Sequence, residues 1–140
     1  MTINQISIFL ENKSGRLAEV AKILSDSGIN LRAAMIADTA DFGILRIVAD
    51  NYEKASRILE ENNFTTRVTK VLGIEVDDVP GGLYRIMKLF KDNSVNIEYI
   101  YASLARKDGM AIVVFKVEDI EKGLEIVKEG NLIAVSEKDL

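Results

Sequence analysis

Two short segments, Glu11-Asn12-Lys13-Ser14-Gly15-Arg16-Leu17 and Asp77-Asp78-Val79-Pro80-Gly81-Gly82-Leu83, put glycine just ahead of what reads as the start of a helix. Glycine lets a backbone approach a ligand closely, and the unpaired amides of a first helical turn favour an anion such as a carboxylate. Pro80 fixes its own φ and biases Val79 toward extended backbone, so the second segment is expected to be preorganised. The first has Ser14 in that place and is expected to be looser. Arg16 adds a cation able to pair with a carboxylate. Asparagine recurs at Asn30 and Asn96, where each helix gives way to a strand, and its side chain carries both a donor and an acceptor, which suits a zwitterion. Each feature also has a plainer reading. The glycines can serve only to turn the chain, the asparagines can close an Asx turn or cap a helix end, and an arginine near a helix start can simply be solvated.

Catalysis finds little support. The chain has no histidine and no cysteine, which removes the usual general base and metal ligand, thiolate nucleophiles, and disulfides together. No paired-carboxylate, phosphate-loop or nucleophile motif replaces them. Arg16 and Asn30 are the residue types that acylphosphatase-like chemistry would use, but they do not sit in a matching local motif. The sequence therefore reads as a binding protein, with no catalytic residues, no metal site and no cofactor. A net charge of -4 opposes nucleic acid and anionic membranes, which reward clustered positive charge. Residues 1–5 do not form a basic secretory leader, and the longest apolar run, Met110 to Phe115, is far too short to span a membrane. The expectation is a soluble cytoplasmic protein.

The elements that must position these segments repeat. Sliding the chain by 66 positions lays residues 10–31 over 76–97 with five identities: Gly15/Gly81, Leu17/Leu83, Lys22/Lys88, Asp26/Asp92 and Asn30/Asn96. Further on the offset becomes 68, pairing Glu53-Lys54 with Glu121-Lys122 and Ile58-Leu59 with Ile126-Val127. Each half reads as strand, helix, strand, strand, helix, strand. In the first, Ile6, Ile8 and Leu10 alternate as in a half-buried strand, and Leu17, Val20, Ala21 and Leu24 then switch to helical spacing. Ser14 is the expected N-cap and Gly28 the expected stop. Strands follow at residues 31–37 and 43–49, joined through Asp38-Thr39-Ala40-Asp41-Phe42. A helix carrying Ala55, Ile58 and Leu59 comes next, then a strand over 64–70. The second half predicts strands over 71–76, 96–105, 110–117 and 132–136, with helices over 82–92 and 120–129. No linker separates the halves, so the last strand of the first is expected to run almost directly into the first strand of the second. Two domains follow, 1–70 and 71–140, each a ferredoxin-like α+β unit with two helices on one face of an antiparallel sheet.

The pattern Asn12-x-x-Gly15-x-Leu17 with Gly28-Ile29-Asn30, and Asp78-x-Pro80-Gly81-x-Leu83 with Val95-Asn96-Ile97, resembles the ACT domain, an amino-acid-sensing module of metabolic enzymes. The resemblance covers nearly the whole chain as two tandem copies, in the manner of small stand-alone ACT proteins. It implies two βαββαβ units packed side by side into a continuous antiparallel sheet with helices on one face, and amino acids or similar small zwitterions bound at the seam. Carried over residue by residue, it implies one site from Asn12, Ser14, Gly15, Arg16 and Leu17 with Asn96. The second would comprise Asp78, Gly81, Gly82 and Leu83 with Asn30. Because Asn12, Ser14 and Arg16 stand where Asp78, Pro80 and Gly82 do, the two sites are expected to differ in affinity. Tyr99 and Tyr101 are expected to share a strand face with Ile97. They could stack on RNA bases, but the acidic balance and the lack of an RNP-like motif argue against that. A bare sheet face covered by a second subunit accounts for them better, giving a homodimer. A specific enzyme of amino-acid metabolism is the other partner to consider.

Overall fold

Ile6, Ile8 and Leu10 lie on one face of β1 (Ile3–Glu11) and are withdrawn from solvent with Val20 and Leu24 of α1 (Arg16–Asp26). The computed structural model describes residues 1–38 and 41–140. β2 (Leu31–Asp38), β3 (Phe42–Ala49) and α2 (Tyr52–Glu61) complete the core, to which β3 supplies Leu45, Ile47 and Ala49, and α2 supplies Ala55 and Leu59. Thr39 and Ala40, in the predicted connection between β2 and β3, lie outside the described residues. β3 pairs antiparallel with both β1 and β2. In the second half, β4 (Thr65–Asp77) and β5 (Ile97–Lys107) flank β6 (Met110–Val117), again antiparallel, and a short β7 (Ala134–Val135) pairs with β4. Helices α3 (Gly82–Asp92) and α4 (Ile120–Glu129) bring Ile86, Phe90, Ile126 and Val127 onto Leu72, Ile74, Val113, Phe115 and Val117. Gly123 stands in α4 where Ala55 stands in α2, and a Cβ there would come within 2.9 Å of Leu72 and 3.0 Å of Val117. Only a minimal side chain suits that crossing.

Both halves are thus α+β units of ferredoxin-like type, and β4 is one unbroken strand. The chain divides into Asn4–Thr69 and a second unit of Lys70–Leu140 together with Met1–Ile3. The N-terminal segment joins the second unit through Gly73, whose missing side chain leaves room for Ile3 and Val135.

Among the described residues, α1 to α4 end alike. After α1, the Gly28 N–H donates to the Ser25 carbonyl and the Ile29 N–H to Leu24; after α3, Ser94 and Val95 donate to Lys91 and Phe90 in the same pattern. Asn63 and Asn131 turn the other two helices. This is the Schellman closure, which needs one left-handed residue per helix; Gly28, Asn63, Ser94 and Asn131 all have positive φ. Gly28 is therefore the stop expected for α1.

Four expectations need correction. Ser14 does not cap α1: Gly15 occupies the N-cap in a left-handed conformation, with no side-chain cap bond. Leu17 and Ala21 do not belong to the buried stripe, because α1 rests on Val20 and Leu24 and turns these two to solvent. The last strand shrinks from the expected 132–136 to Ala134–Val135, as the chain closes in a 3-10 turn over Glu137–Asp139 boxed by Ser136 and Asp139. Finally, Ile97 does not share a face with Tyr99 and Tyr101. A bulge between Ile97 and Tyr99 inserts a residue, so Ile97 packs on the helix-side core while Tyr99 and Tyr101 point the other way. That other face is not bare: Tyr101 is 7% exposed, and Val114, its partner on β6, is fully buried.

Candidate functional site

The two strand-to-helix turns differ in sequence yet share one backbone hydrogen-bond pattern. In the first, the Lys13 N–H donates to the Glu11 carbonyl (3.0 Å), Arg16 to Lys13 (3.4 Å) and Glu19 to Gly15 (2.9 Å). In the second, Val79 donates to Asp77 (2.9 Å), Gly82 to Val79 (3.1 Å) and Arg85 to Gly81 (3.0 Å). Gly15 and Gly81 sit at φ 87° and 86°, a conformation costly for any residue with a Cβ. Ser14 stands where Pro80 does, and in both loops the glycine that follows turns the chain.

The turns differ in packing just after the shared glycine, at Arg16 and Gly82. A Cβ on Gly82 would lie 2.1 Å from the Asp77 carbonyl oxygen, so α3 begins against the end of β4. Arg16 holds the same place in the first repeat and carries a full side chain. Its guanidinium lies 5.0 Å from the centre of the Phe64 ring and donates to Glu19 at 2.6 Å. It is not simply solvated, and its Nε–H is buried without a hydrogen-bond partner. Beside it, Lys13 is hydrogen-bonded to Glu11 and, with its charge, holds that carboxyl below its ordinary range. Because the folded pKa is lowered, the interaction is present above the ordinary carboxylate range and is lost as pH falls through the lowered value. Leu17 is 47% exposed, too open for a core residue at the start of a helix.

Asn30 and Asn96 are held by their backbones. The Asn30 N–H donates to the Asp50 carboxylate at 3.2 Å, and Asp50 returns its own N–H to the Asn30 carbonyl at 3.1 Å. Asn96 exchanges the same pair of bonds with Glu118, each at 3.1 Å. Neither side chain caps a helix, since Schellman turns close both helices, and both residues are exposed. Each is followed closely by a bulge, between Leu31 and Ala33 in the first repeat and between Ile97 and Tyr99 in the second. Glu98, at the second bulge, is anchored to Lys116 at 2.6 Å.

Within one unit, these residues do not meet. The turn and the asparagine lie at opposite ends of an 11-residue helix, about 16 Å long. Asn12, Ser14, Gly15, Arg16 and Leu17 are contiguous at one end of α1, as are Asp78, Gly81, Gly82 and Leu83 at the start of α3, with Asn30 and Asn96 at the far ends. Around Asn96 the second unit opens into a cleft of about 500 Å³ between α3 and the start of β5, with Met87, Lys91, Tyr99 and Ile100 among its walls. Sequence periodicity missed this cleft, because a bulge at the strand start is invisible to a period-2 reading.

A family model for the ACT domain pair matches residues 1–140. The chain belongs to that family. ACT domains are regulatory modules, and among the described residues of this ACT pair no cluster of carboxylates could hold a metal ion. No helix among the described residues is long and apolar enough to cross a membrane. The ACT pair is similar to protein BT0572 from Bacteroides thetaiotaomicron, at 40% identity and a TM-score of 0.92, over 99% of this chain and 95% of that one. The regulatory subunit of aspartate kinase from Thermus thermophilus shares the fold at 17% identity and a TM-score of 0.65, over 90% of this chain and 91% of that one. The corresponding subunit from Thermus flavus does so at 17% identity and a TM-score of 0.60, over 90% of each chain. Among curated proteins, no sequence match is found.

Proposed function

We propose that this ACT pair is a cytoplasmic sensor that binds an amino acid or similar small zwitterion where the glycine turn of one unit meets the asparagine of another. The observation that carries this reading is what the duplication has kept. Of the five identities between residues 10–31 and 76–97, Lys22/Lys88 and Asp26/Asp92 form a surface ion pair in each helix. Of the other three, Gly15/Gly81 turn the chain and Leu83 packs on its core, while Leu17 and the side chains of Asn30 and Asn96 stay exposed with no such internal use. Because one unit holds its turn and its asparagine about 16 Å apart, a compact ligand needs the turn of one unit and the asparagine of its neighbour. Units packed side by side in a continuous sheet would supply that.

The test is thermal unfolding in the presence of each of the common amino acids. A ligand at about 100 times its Kd adds ~2.7 kcal/mol and is expected to raise Tm by roughly 5–10 °C. Replacing Asn30 and Asn96 together by Ala is expected to leave the unliganded Tm almost unchanged and to abolish the ligand response. A screen in which no amino acid moves the transition removes the sensing proposal.

A second reading is suggested by the aspartate kinase regulatory subunits that share this fold: the ACT pair would then regulate one specific enzyme of amino-acid metabolism. Stable co-purification with such an enzyme distinguishes it. Homodimerisation belongs to either reading, but the covered tyrosine face would not serve it; light scattering at micromolar concentration gives the oligomeric state.

A further inference from the structure

The cleft beside Asn96 carries a more specific conclusion, which rests on the proposed amino-acid-binding function. Its walls fall into two groups when the repeats are aligned. Three are kept in kind: Phe90 stands where Leu24 does, Val95 where Ile29 does, and Ile97 where Leu31 does. The other four are not. Met87, Lys91, Tyr99 and Ile100 occupy the positions of Ala21, Ser25, Ala33 and Ala34. Every one of these four changes adds a large side chain to the second unit, yet an opening of about 500 Å³ persists among them. That is within the range of small-molecule sites and too roomy to be a packing defect. The bulge between Ile97 and Tyr99 makes it possible, because it sends Tyr99 to the opposite side of the strand from Ile97 and Ile100.

We infer that this cleft takes the side chain of the bound amino acid, selecting a large apolar one, with Lys91 holding the carboxylate. Apart from Lys91, Asn96 and Tyr99, the lining residues are apolar. Lys91 makes no ion pair among the described residues, so its ammonium is available. Asn96 has its backbone committed to Glu118 and can offer its side-chain amide to either end of the ligand. The C-terminal end of α3, where Lys91 sits, carries the negative end of the helix dipole and favours the ligand's ammonium. The first repeat offers Ser25 and three alanines at the equivalent places, so the two sites differ in the ligand they accept as well as in affinity.

Methionine methyl NMR on the intact chain reads this directly. Of the four methionines, Met1, Met35, Met87 and Met110, Met87 alone lines the cleft. Titration with phenylalanine, leucine and isoleucine is expected to shift the Met87 methyl ahead of the other three. Lys91→Met is expected to weaken binding roughly tenfold, as loss of a charge-assisted hydrogen bond does. Lys91 is exposed, so its replacement leaves the fold intact, and Tyr99→Ala provides an independent loss of affinity. Binding of an amino acid that leaves the Met87 methyl unmoved and the Lys91→Met affinity unchanged overturns the cleft assignment while amino-acid sensing stands. Preference for serine, glycine or aspartate over the apolar amino acids overturns the ligand class. Failure of every amino acid to bind the unaltered chain removes both proposals.

Discussion

Gly82→Ala is expected to destabilise the protein by about 2–3 kcal/mol, against the usual direction of a glycine-to-alanine change at a helix start. At a site with ordinary backbone angles that replacement stabilises by about 0.4–1 kcal/mol, because it restricts the unfolded chain. Gly82 has no positive φ, so the backbone itself would accept alanine. The opposing effect is contact: the new Cβ would sit 2.1 Å from the Asp77 carbonyl oxygen and 3.1 Å from its carbon. Both belong to backbone that is paired into β4, with Asp77 in register with Met110, so they cannot swing aside as a flexible side-chain end could. Overpacking of this kind costs about 1–3 kcal/mol, and the closeness of the contact places Gly82 in the upper part of that range. Urea unfolding of the variant measures it, and a midpoint raised above that of the parent would show that α3 does not begin against β4. The first repeat supplies the control. Arg16→Gly there removes the Phe64 and Glu19 contacts but creates no clash, and is expected to cost about 1–2 kcal/mol.

Phe90→Ala is expected to be costlier still, about 3–5 kcal/mol. Phe90 is fully buried, and its ring stacks on Phe115 with centroids 6.1 Å apart and planes within 7°. Ile86, Val95, Ile126 and Val127 belong to the same core and are anchored on separate elements, so they cannot collapse into the space left behind. Phe90→Leu copies Leu24 of the first repeat and is expected to cost less than about 1.5 kcal/mol, since most of the volume stays. The pair of variants also reports on the cleft, whose floor Phe90 forms part of. Alanine deepens it, so an apolar ligand gains room while the protein loses stability. Equilibrium unfolding of both variants gives the two costs, and equal costs would mean that ring stacking and volume contribute nothing at this position.

Much of the architecture was legible before any coordinates. Helices over 82–92 and 120–129 and the strand over 110–117 emerge with their predicted limits, because each combines a clear apolar period with end signals that act locally. The run from the first half into the second as one strand was legible too, since nothing between Thr65 and Val76 interrupts pairing. What failed did so for identifiable reasons. A serine beside a glycine looks like a cap, but the left-handed turn at Gly15 replaces the side-chain bond that Ser14 would have made. A leucine at helical spacing looks like core, but Leu17 faces water because the helix rests on Val20 and Leu24. The face of Ile97 was misread because one bulged residue inverts every side chain after it.

The glycine turns with which the sequence reading began show where the division lies. The sequence alone determined that two such turns exist, that each opens a helix and that an asparagine follows each helix, because these depend on residue type and short-range spacing. Tertiary structure alone decided that the two turns share one hydrogen-bond pattern despite Ser14 and Pro80, that Arg16 lies against Phe64 while Gly82 lies against Asp77, and that an open cleft flanks Asn96. Those outcomes depend on how closely a helix approaches a strand end and on where a bulge redirects a side chain. Both are set by packing among residues far apart in the chain.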